Sequence, residues 1–120
     1  MRKALLLIPL VSACCYSCAD NVIVETSPFR DLSCVLNAPT RSLVTQRAIE
    51  FASENSFRHR SNEFMTLLTT DRLNFGITYI PDATTFYVIG IARKPPVKAE
   101  VALFDRFVAS LPAKCLPAQG

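Results

Sequence analysis

The sequence predicts an α+β fold: a two-layer sandwich in which two helices lie on one face of an antiparallel three-stranded meander. Three observations predict it: two segments with apolar residues at helical spacing, three strand-like segments between them, and turn signals that separate the strands. Helices that flank a run of hairpin-linked strands can bury their apolar stripes against one face of that sheet. The expected order of elements is therefore α-β-β-β-α.

The two helices are predicted at residues 40–54 and 97–111. Pro39 and Thr40 suit the start of the first helix, and Pro112 ends the second. Both segments carry apolar residues at spacings of three and four, which places them on one face of a helix. These residues are Val44, Ala48, Phe51 and Ala52 in the first helix, and Val97, Val101, Phe104, Val108 and Leu111, flanked by Leu103 and Phe107, in the second.

The three strands are predicted at residues 64–70, 73–79 and 84–93. The middle segment alternates apolar and polar residues strictly, which is the strand period, and the last is rich in β-branched and aromatic residues. Turn-forming residues separate the second strand from the third at residues 81–83. An upstream stretch, residues 20–31, is interpreted as a tether, within which residues 21–26 have the pattern of a short edge strand.

The last two strands predict a surface. A hairpin centred on Ala83 pairs Phe75 with Ile91, Ile77 with Ile89 and Tyr79 with Tyr87, and this large apolar face belongs under the helices. The opposite face then collects Gly76, Thr78, Ile80, Phe86, Val88 and Gly90. Glycine within strands often marks close approach of another group, so this face is a candidate docking strip for a partner or ligand. A bulge or a solvated sheet face also explains this pattern, and a slip of one residue would void the pairing.

The charge balance argues against nucleic acid as a partner. The chain has 120 residues, enough for one domain. Its net charge is +3, but 2 of its 13 Lys and Arg residues, Arg2 and Lys3, lie at the extreme N-terminus. The remainder has 11 Lys and Arg and 10 Asp and Glu, so it is nearly neutral. A nearly neutral domain lacks the excess positive charge that binding of a phosphate backbone requires.

The first residues have the order of a secretory signal. Arg2 and Lys3 precede an uncharged apolar run, residues 4–11, and small residues follow. This run is too short to span a hydrocarbon core of about 30 Å as a helix. The chain is therefore expected to be exported.

Val11-Ser12-Ala13-Cys14 resembles the lipobox of bacterial lipoproteins. The resemblance covers the signal alone and implies that Cys14 is lipidated and becomes the new N-terminus, so that acyl chains attach the protein to a membrane. In that family, an Asp directly after the lipidated Cys keeps the protein in the inner membrane. This chain has Cys15 at that position, so the resemblance implies the outer membrane, facing the periplasm. A competing cleavage site, Ser17-Cys18-Ala19, would release a soluble periplasmic or secreted protein.

These sites divide the chain into a signal at residues 1–13 or 1–19, a tether at 14–33, a domain at 34–116 and a tail at 117–120.

Of the five cysteines, Cys34 and Cys115 lie at the two ends of the predicted domain. Since an exported protein meets an oxidising environment, we predict a disulfide between them. Closing so long a loop contributes about 4 kcal/mol on the chain-entropy estimate.

Candidate chemistry is sparse. Arg58-His59-Arg60 contains the only histidine, which is a candidate general base if Glu63 or Asp71 orients it. The same tripeptide is a candidate anion site for phosphates or carboxylates, or simply a solvated basic loop. No metal site is predicted, because one histidine and a lone C-x-x-C, Cys15 to Cys18, do not complete a ligand set. No cofactor is predicted, since the phosphate-binding and dinucleotide fingerprints are missing.

The sequence therefore predicts an exported, non-catalytic cell-envelope protein. It would be attached to the membrane by its lipid and would act through contacts with another envelope protein, as an assembly accessory, an inhibitor or an immunity-type partner. Two alternatives stay open: a binding module for an apolar or amphiphilic envelope ligand, and a small enzyme that uses His59.

Overall fold

A computed structural model describes residues 26–38, 40–81, 84–93 and 96–118 of the chain. These residues form an α+β domain in which six antiparallel strands make one open sheet and two helices pack against it. The elements are β1 (Ser27–Leu36), α1 (Ser42–Glu54), β2 (Arg58–Ser61), β3 (Met65–Thr69), β4 (Leu73–Tyr79), β5 (Thr85–Ala92), α2 (Lys98–Ala109) and β6 (Ala113–Pro117). The strand order across the sheet is β2-β3-β4-β5-β1-β6.

The predicted α-β-β-β-α order is a part of this fold. Both helices and the meander β3-β4-β5 occur within two residues of the predicted bounds. The sheet is larger than predicted because β1, β2 and β6 extend it on both sides. Residues 27–33 belong to β1 and Pro117 to β6, so the sheet takes in part of the predicted tether and the first residue of the predicted tail. The predicted edge strand at 21–26 lies outside the described residues except for Thr26, which is not in a strand.

Two long connections carry the chain across the sheet. Strands β5 and β6 both pair antiparallel with β1, one on each side, so they run parallel to each other and α2 connects them across β1. Helix α1 follows β1 and leads to β2 at the far edge, where it lies against β2 and β3. Both helices cover the same face of the sheet, and the buried core lies between that face and the helices.

The register of the β4–β5 hairpin differs from the predicted one by one residue. Phe75 lies opposite Gly90, Ile77 opposite Val88 and Tyr79 opposite Phe86. The predicted pairing, which placed Phe75 opposite Ile91, Ile77 opposite Ile89 and Tyr79 opposite Tyr87, is therefore wrong. A shift of one residue moves every side chain of a strand to the other face.

This register divides the predicted docking strip. Phe86, Val88 and Gly90 lie buried under the helices beside Phe75 and Ile77. Gly76 and Thr78 keep the opposite face of the sheet, and Ile80 follows the end of β4. The six residues predicted as one surface thus occupy two sides of the sheet.

The centre of the core is a cluster of phenylalanine rings. Phe75 on β4 packs against Phe57, Phe104 and Phe107 at centroid distances of 5.0, 5.1 and 5.3 Å. Phe107 in turn packs against Phe51 of α1 at 5.1 Å, so the cluster joins both helices to the sheet. Such pairs contribute about 0.5–1.5 kcal/mol each beyond the area that they bury.

Gly90 allows this cluster to approach the sheet. A Cβ atom at Gly90 would lie 2.9 Å from Phe104 Cδ1 and 2.9 Å from Phe29 Cζ. Phe29 reaches this position because the β1–β5 register shifts between Pro28 and Arg30, so that Phe29 is the additional residue of a bulge. The absence of a side chain at Gly90 therefore lets two rings rest on the strand backbone.

The predicted Cys34–Cys115 disulfide is present. The two cysteines lie directly opposite each other on β1 and β6, and the bridge spans 81 residues of sequence. Cys34 is fully buried and Cys115 packs against the core. The bridge thus fixes the last strand to the sheet at a register pair.

Arg72 and Glu100 join the β3–β4 turn to the start of α2. Arg72 donates from Nε to Glu100 Oε2 at 2.6 Å and from Nη2 to Oε1 at 3.1 Å. The Val97 backbone N–H also donates to Glu100 Oε1, at 3.0 Å. The pKa of the Glu100 carboxyl is lowered below its usual range, and the hydrogen bonds from Arg72 are the largest cause. Burial of the carboxyl opposes this shift.

We expect Gly90→Ala to lower the free energy of unfolding by about 1–3 kcal/mol, since the added methyl group forces Phe104 and Phe29 away from β5. The matched control is Gly76→Ala on β4, on the sheet face that points away from the helices. The new Cβ there would lie 3.3 Å from Ile89 Cγ2. Urea denaturation measures both variants. A Gly90→Ala protein no less stable than Gly76→Ala would contradict the close approach described above.

We expect the stabilisation by Glu100 to depend on pH. Because its folded-state pKa is lowered, the stabilisation is complete above the unfolded pKa, about 4.3 for glutamate, and is lost as the pH falls through the folded-state pKa. Thermal midpoints of the parent protein and Glu100→Gln should therefore differ at pH 7 and converge as the pH falls through the folded-state pKa of Glu100. Glu50→Gln is the control, because Glu50 makes exposed contacts only, a 3.8 Å ion pair with Arg47 and a 3.4 Å hydrogen bond from Gln46 Nε2. A gap for Glu100→Gln that is constant with pH would refute the assignment.

Candidate docking face

The sheet face opposite the helices, called here the open face, is built of cross-strand rows. Directly opposed residues on neighbouring antiparallel strands point to the same side. The Tyr87 row consists of Leu116, Ser33, Tyr87, Thr78 and Met65, from β6 to β3. The central row consists of Asp31, Ile89, Gly76, Leu67 and Arg60, from β1 to β2. The Ile91 row consists of Pro28, Ile91, Asn74, Thr69 and Arg58, from β1 to β2.

Apolar side chains are exposed on this face. Leu116 is 63% exposed, Val35 52%, Tyr87 42% and Met65 41%. Among the described residues these are four of the six large apolar side chains that are exposed, the others being Phe64 and Val97. Concentrated apolar exposure on one side of a domain is typical of a surface that binds another molecule.

Two depressions lie at opposite sides of the open face. The larger, of about 730 Å³, lies over β1, β5 and β6 and is lined mainly by Val35, Tyr87, Leu116 and Lys114. The smaller, of about 250 Å³, lies at β2 and β3, where Arg60 borders Met65 and Leu67. Both combine apolar walls with a cationic side chain.

The arginines of the predicted anion site do not form one cluster with His59. Arg58 and Arg60 alternate with His59 along β2, so the two arginines lie on the open face and His59 points to the other side of the sheet. All residues of β2 are exposed. The strand therefore presents a pair of arginines at the side of the open face, where charged residues also discourage edge-to-edge pairing.

The residues considered as orienting partners of His59 lie at different ends of strand β3. Glu63 lies in the turn that precedes β3, and Asp71 lies in the turn that follows it. His59 is opposite Leu68 in the middle of this pairing. The fold thus does not gather these three residues into one constellation.

A chain of four hydroxyl groups was not foreseen from the sequence. Thr66 is fully buried, and its Oγ1 lies 2.8 Å from Ser61 Oγ and 2.9 Å from the Tyr79 hydroxyl. Tyr79 lies 2.6 Å from Thr45 Oγ1 of α1, and the Arg41 guanidinium stands 5.0 Å from the centre of its ring. This hydroxyl chain gives the buried hydroxyl of Thr66 two hydrogen-bond partners and joins α1 to the sheet. The one sequence signal for this hydroxyl chain is the strict alternation of residues 73–79, which places Tyr79 on the core face of its strand.

Within residues 26–38, 40–81, 84–93 and 96–118, no three His, Cys, Asp or Glu side chains come together as a metal site. Neither helix of the described chain has the length and apolar character needed to cross a bilayer. Cys14, Cys15 and Cys18, with the predicted lipidation and cleavage sites, lie outside the described residues.

We expect Tyr79→Phe to lower the free energy of unfolding by about 1 kcal/mol, because both hydrogen bonds of its hydroxyl are lost while Thr66 keeps Ser61. Tyr87→Phe is the matched control, since this tyrosine is exposed on the open face, and a change within about 0.5 kcal/mol is expected there. Thermal or urea denaturation of the two variants makes the comparison. Equal effects would show that the hydroxyl chain does not stabilise the fold.

No protein-family model, curated protein or solved structure matches this chain. The functional assignment therefore rests on the geometry of the described domain and on the patterns of its sequence.

Proposed function

We propose that the protein is an exported, lipid-anchored component of a cell envelope and that it acts through non-catalytic protein contacts. Its role would be that of an assembly accessory, an inhibitor or an immunity-type partner. The observation that carries the proposal is the apolar open face of a domain closed by a disulfide. The proposed location is the outer membrane, on its periplasmic side.

The disulfide supports export. Structural disulfides persist in oxidising compartments and are rare in the reducing cytosol. The Cys34–Cys115 bridge joins two strands at a register pair, so it belongs to the folded structure of the domain. It agrees with the basic, apolar and small-residue order of the first residues, in which Cys14 stands at the position that receives lipid in bacterial lipoproteins.

The open face supports contact with a protein. Tyr87 and Met65 stand in the same cross-strand row, and Leu116 ends that row at the opposite side of the sheet. These are exposed side chains on a rigid strand scaffold, and aromatic residues and methionine are enriched at protein interfaces. The charged residues of the central row, Asp31 and Arg60, lie at its two ends, as in an interface with an apolar centre and a polar rim.

An apolar or amphiphilic ligand is the second candidate. The depression of about 730 Å³ over β1, β5 and β6 favours it, because its volume falls in the range of ligand sites and its walls are mostly apolar. Lys114 at its margin would face an anionic head group. Native mass spectrometry of the purified protein distinguishes this candidate, since a bound lipid would add a discrete mass that denaturation removes, unlike the acyl groups proposed at Cys14.

The anchor is tested by the intact mass of the protein isolated from membrane and soluble fractions. We expect a membrane-bound species that begins at Cys14 and carries acyl groups, and we expect Cys14→Ser to abolish that species. Cys18→Ser is the matched control and should leave it unchanged. A parent protein that begins at Asp20 and is found in the soluble fraction would refute the anchor.

A further inference from the structure

We infer that the open face binds a second copy of this chain, so that two sheets pack face to face around a two-fold axis that runs parallel to the strands above β4. This inference deepens the proposed function and rests on its claim that the open face is a contact surface. Its basis is the order of side chains in the central row, which is self-complementary.

The central row has opposite charges at its ends and apolar residues between them. It begins with Asp31 on β1 and ends with Arg60 on β2. Four steps between strands, of about 4.8 Å each, place the two residues about 19 Å apart, too far for an ion pair within one chain. Both side chains are exposed, and neither takes part in an ion pair within the described part of the chain.

A two-fold axis above β4 reverses the order of the row in the second copy. Asp31 then faces Arg60 of the second copy, and Arg60 faces its Asp31. Ile89 faces Leu67 of the second copy, and Gly76 faces Gly76 on the axis. Surfaces in an isologous dimer must be complementary to themselves, and this row meets that requirement for charge and for apolar character.

The neighbouring rows agree with this arrangement. In the Tyr87 row, the same axis brings Tyr87 opposite Met65 of the second copy, an apolar contact between two exposed side chains. In the Ile91 row, it brings Arg58 opposite Pro28, so no two like charges are opposed. Sheets packed in this way lie about 10 Å apart. The side chains of Ile89 and Leu67 would fill that space beside Gly76.

The charges also select the direction of the axis. A two-fold axis that runs along the central row instead would oppose Arg60 to Arg60 and Asp31 to Asp31. Juxtaposed like charges disfavour an interface. The strand-parallel axis is therefore the arrangement that pairs opposite charges at both ends of the row.

The test uses the full-length protein carrying two different affinity tags and produced together in cells. We expect the two forms to co-purify after detergent extraction. Asp31→Arg and Arg60→Asp should each lower the co-purified fraction about tenfold or more, because each creates two like-charge contacts in the dimer. The double variant, Asp31→Arg with Arg60→Asp, should restore it to within about threefold of the parent. Arg47→Asp, on α1 at the other side of the domain, is the control and should have no effect.

A photo-reactive amino acid at Tyr87 separates failure of this inference from failure of the proposed function. A crosslinked species composed of two copies of this chain, lost in Arg60→Asp and regained in the double variant, supports the inference. A crosslink only to a different protein overturns the inference and leaves the open face as a contact surface. The absence of any crosslink from position 87 overturns both the inference and the proposed function.

Discussion

The packing of Phe104 and Phe29 on the backbone of Gly90 determines the rest of this structure. Strand β5 carries apolar side chains on both of its faces, so its pattern alone allows either face to be buried. Only the face that includes Gly90 lets two rings approach the strand, since any side chain there would overlap them. This contact sets the register between β4 and β5, and the register in turn decides which residues form the core and which remain on the open face.

Covalent closure complements this packing. The core is small, as expected for a domain of this length, and such domains bury a modest fraction of their surface. The phenylalanine cluster joins α1 and α2 to the middle of the sheet, but β6 lies at the edge, beyond β1. The bridge between Cys34 and Cys115 ties this edge strand to its neighbour, and the long loop that it closes reduces the entropy of the unfolded chain.

The location of the apolar surface follows from the same geometry. Both helices lie on one face, so the open face keeps its side chains in contact with solvent unless another molecule covers them. Its strands are fixed by hydrogen bonds to their neighbours, which makes it a rigid platform rather than a set of loops. Its central row has charged residues, Asp31 and Arg60, at the two ends and no polar side chain between them, an arrangement suited to recognition between two flat surfaces.

The amino-acid sequence by itself determined both helices and three strands, because helical spacing and strict alternation are local signals. It also determined the disulfide, because two cysteines lie at the two ends of the predicted domain. Its first residues also carry a pattern of charge and apolar length that predicts an export signal. It did not reveal β2, since Arg-His-Arg-Ser carries no apolar alternation, or the hydroxyl chain around Thr66, whose members come from three strands and a helix. Tertiary structure decided the register of β5 and hence the composition of the open face. The physical reason is that two apolar patterns of opposite parity compete on this strand, and only the close approach of rings from β1 and α2 to Gly90 selects one of them.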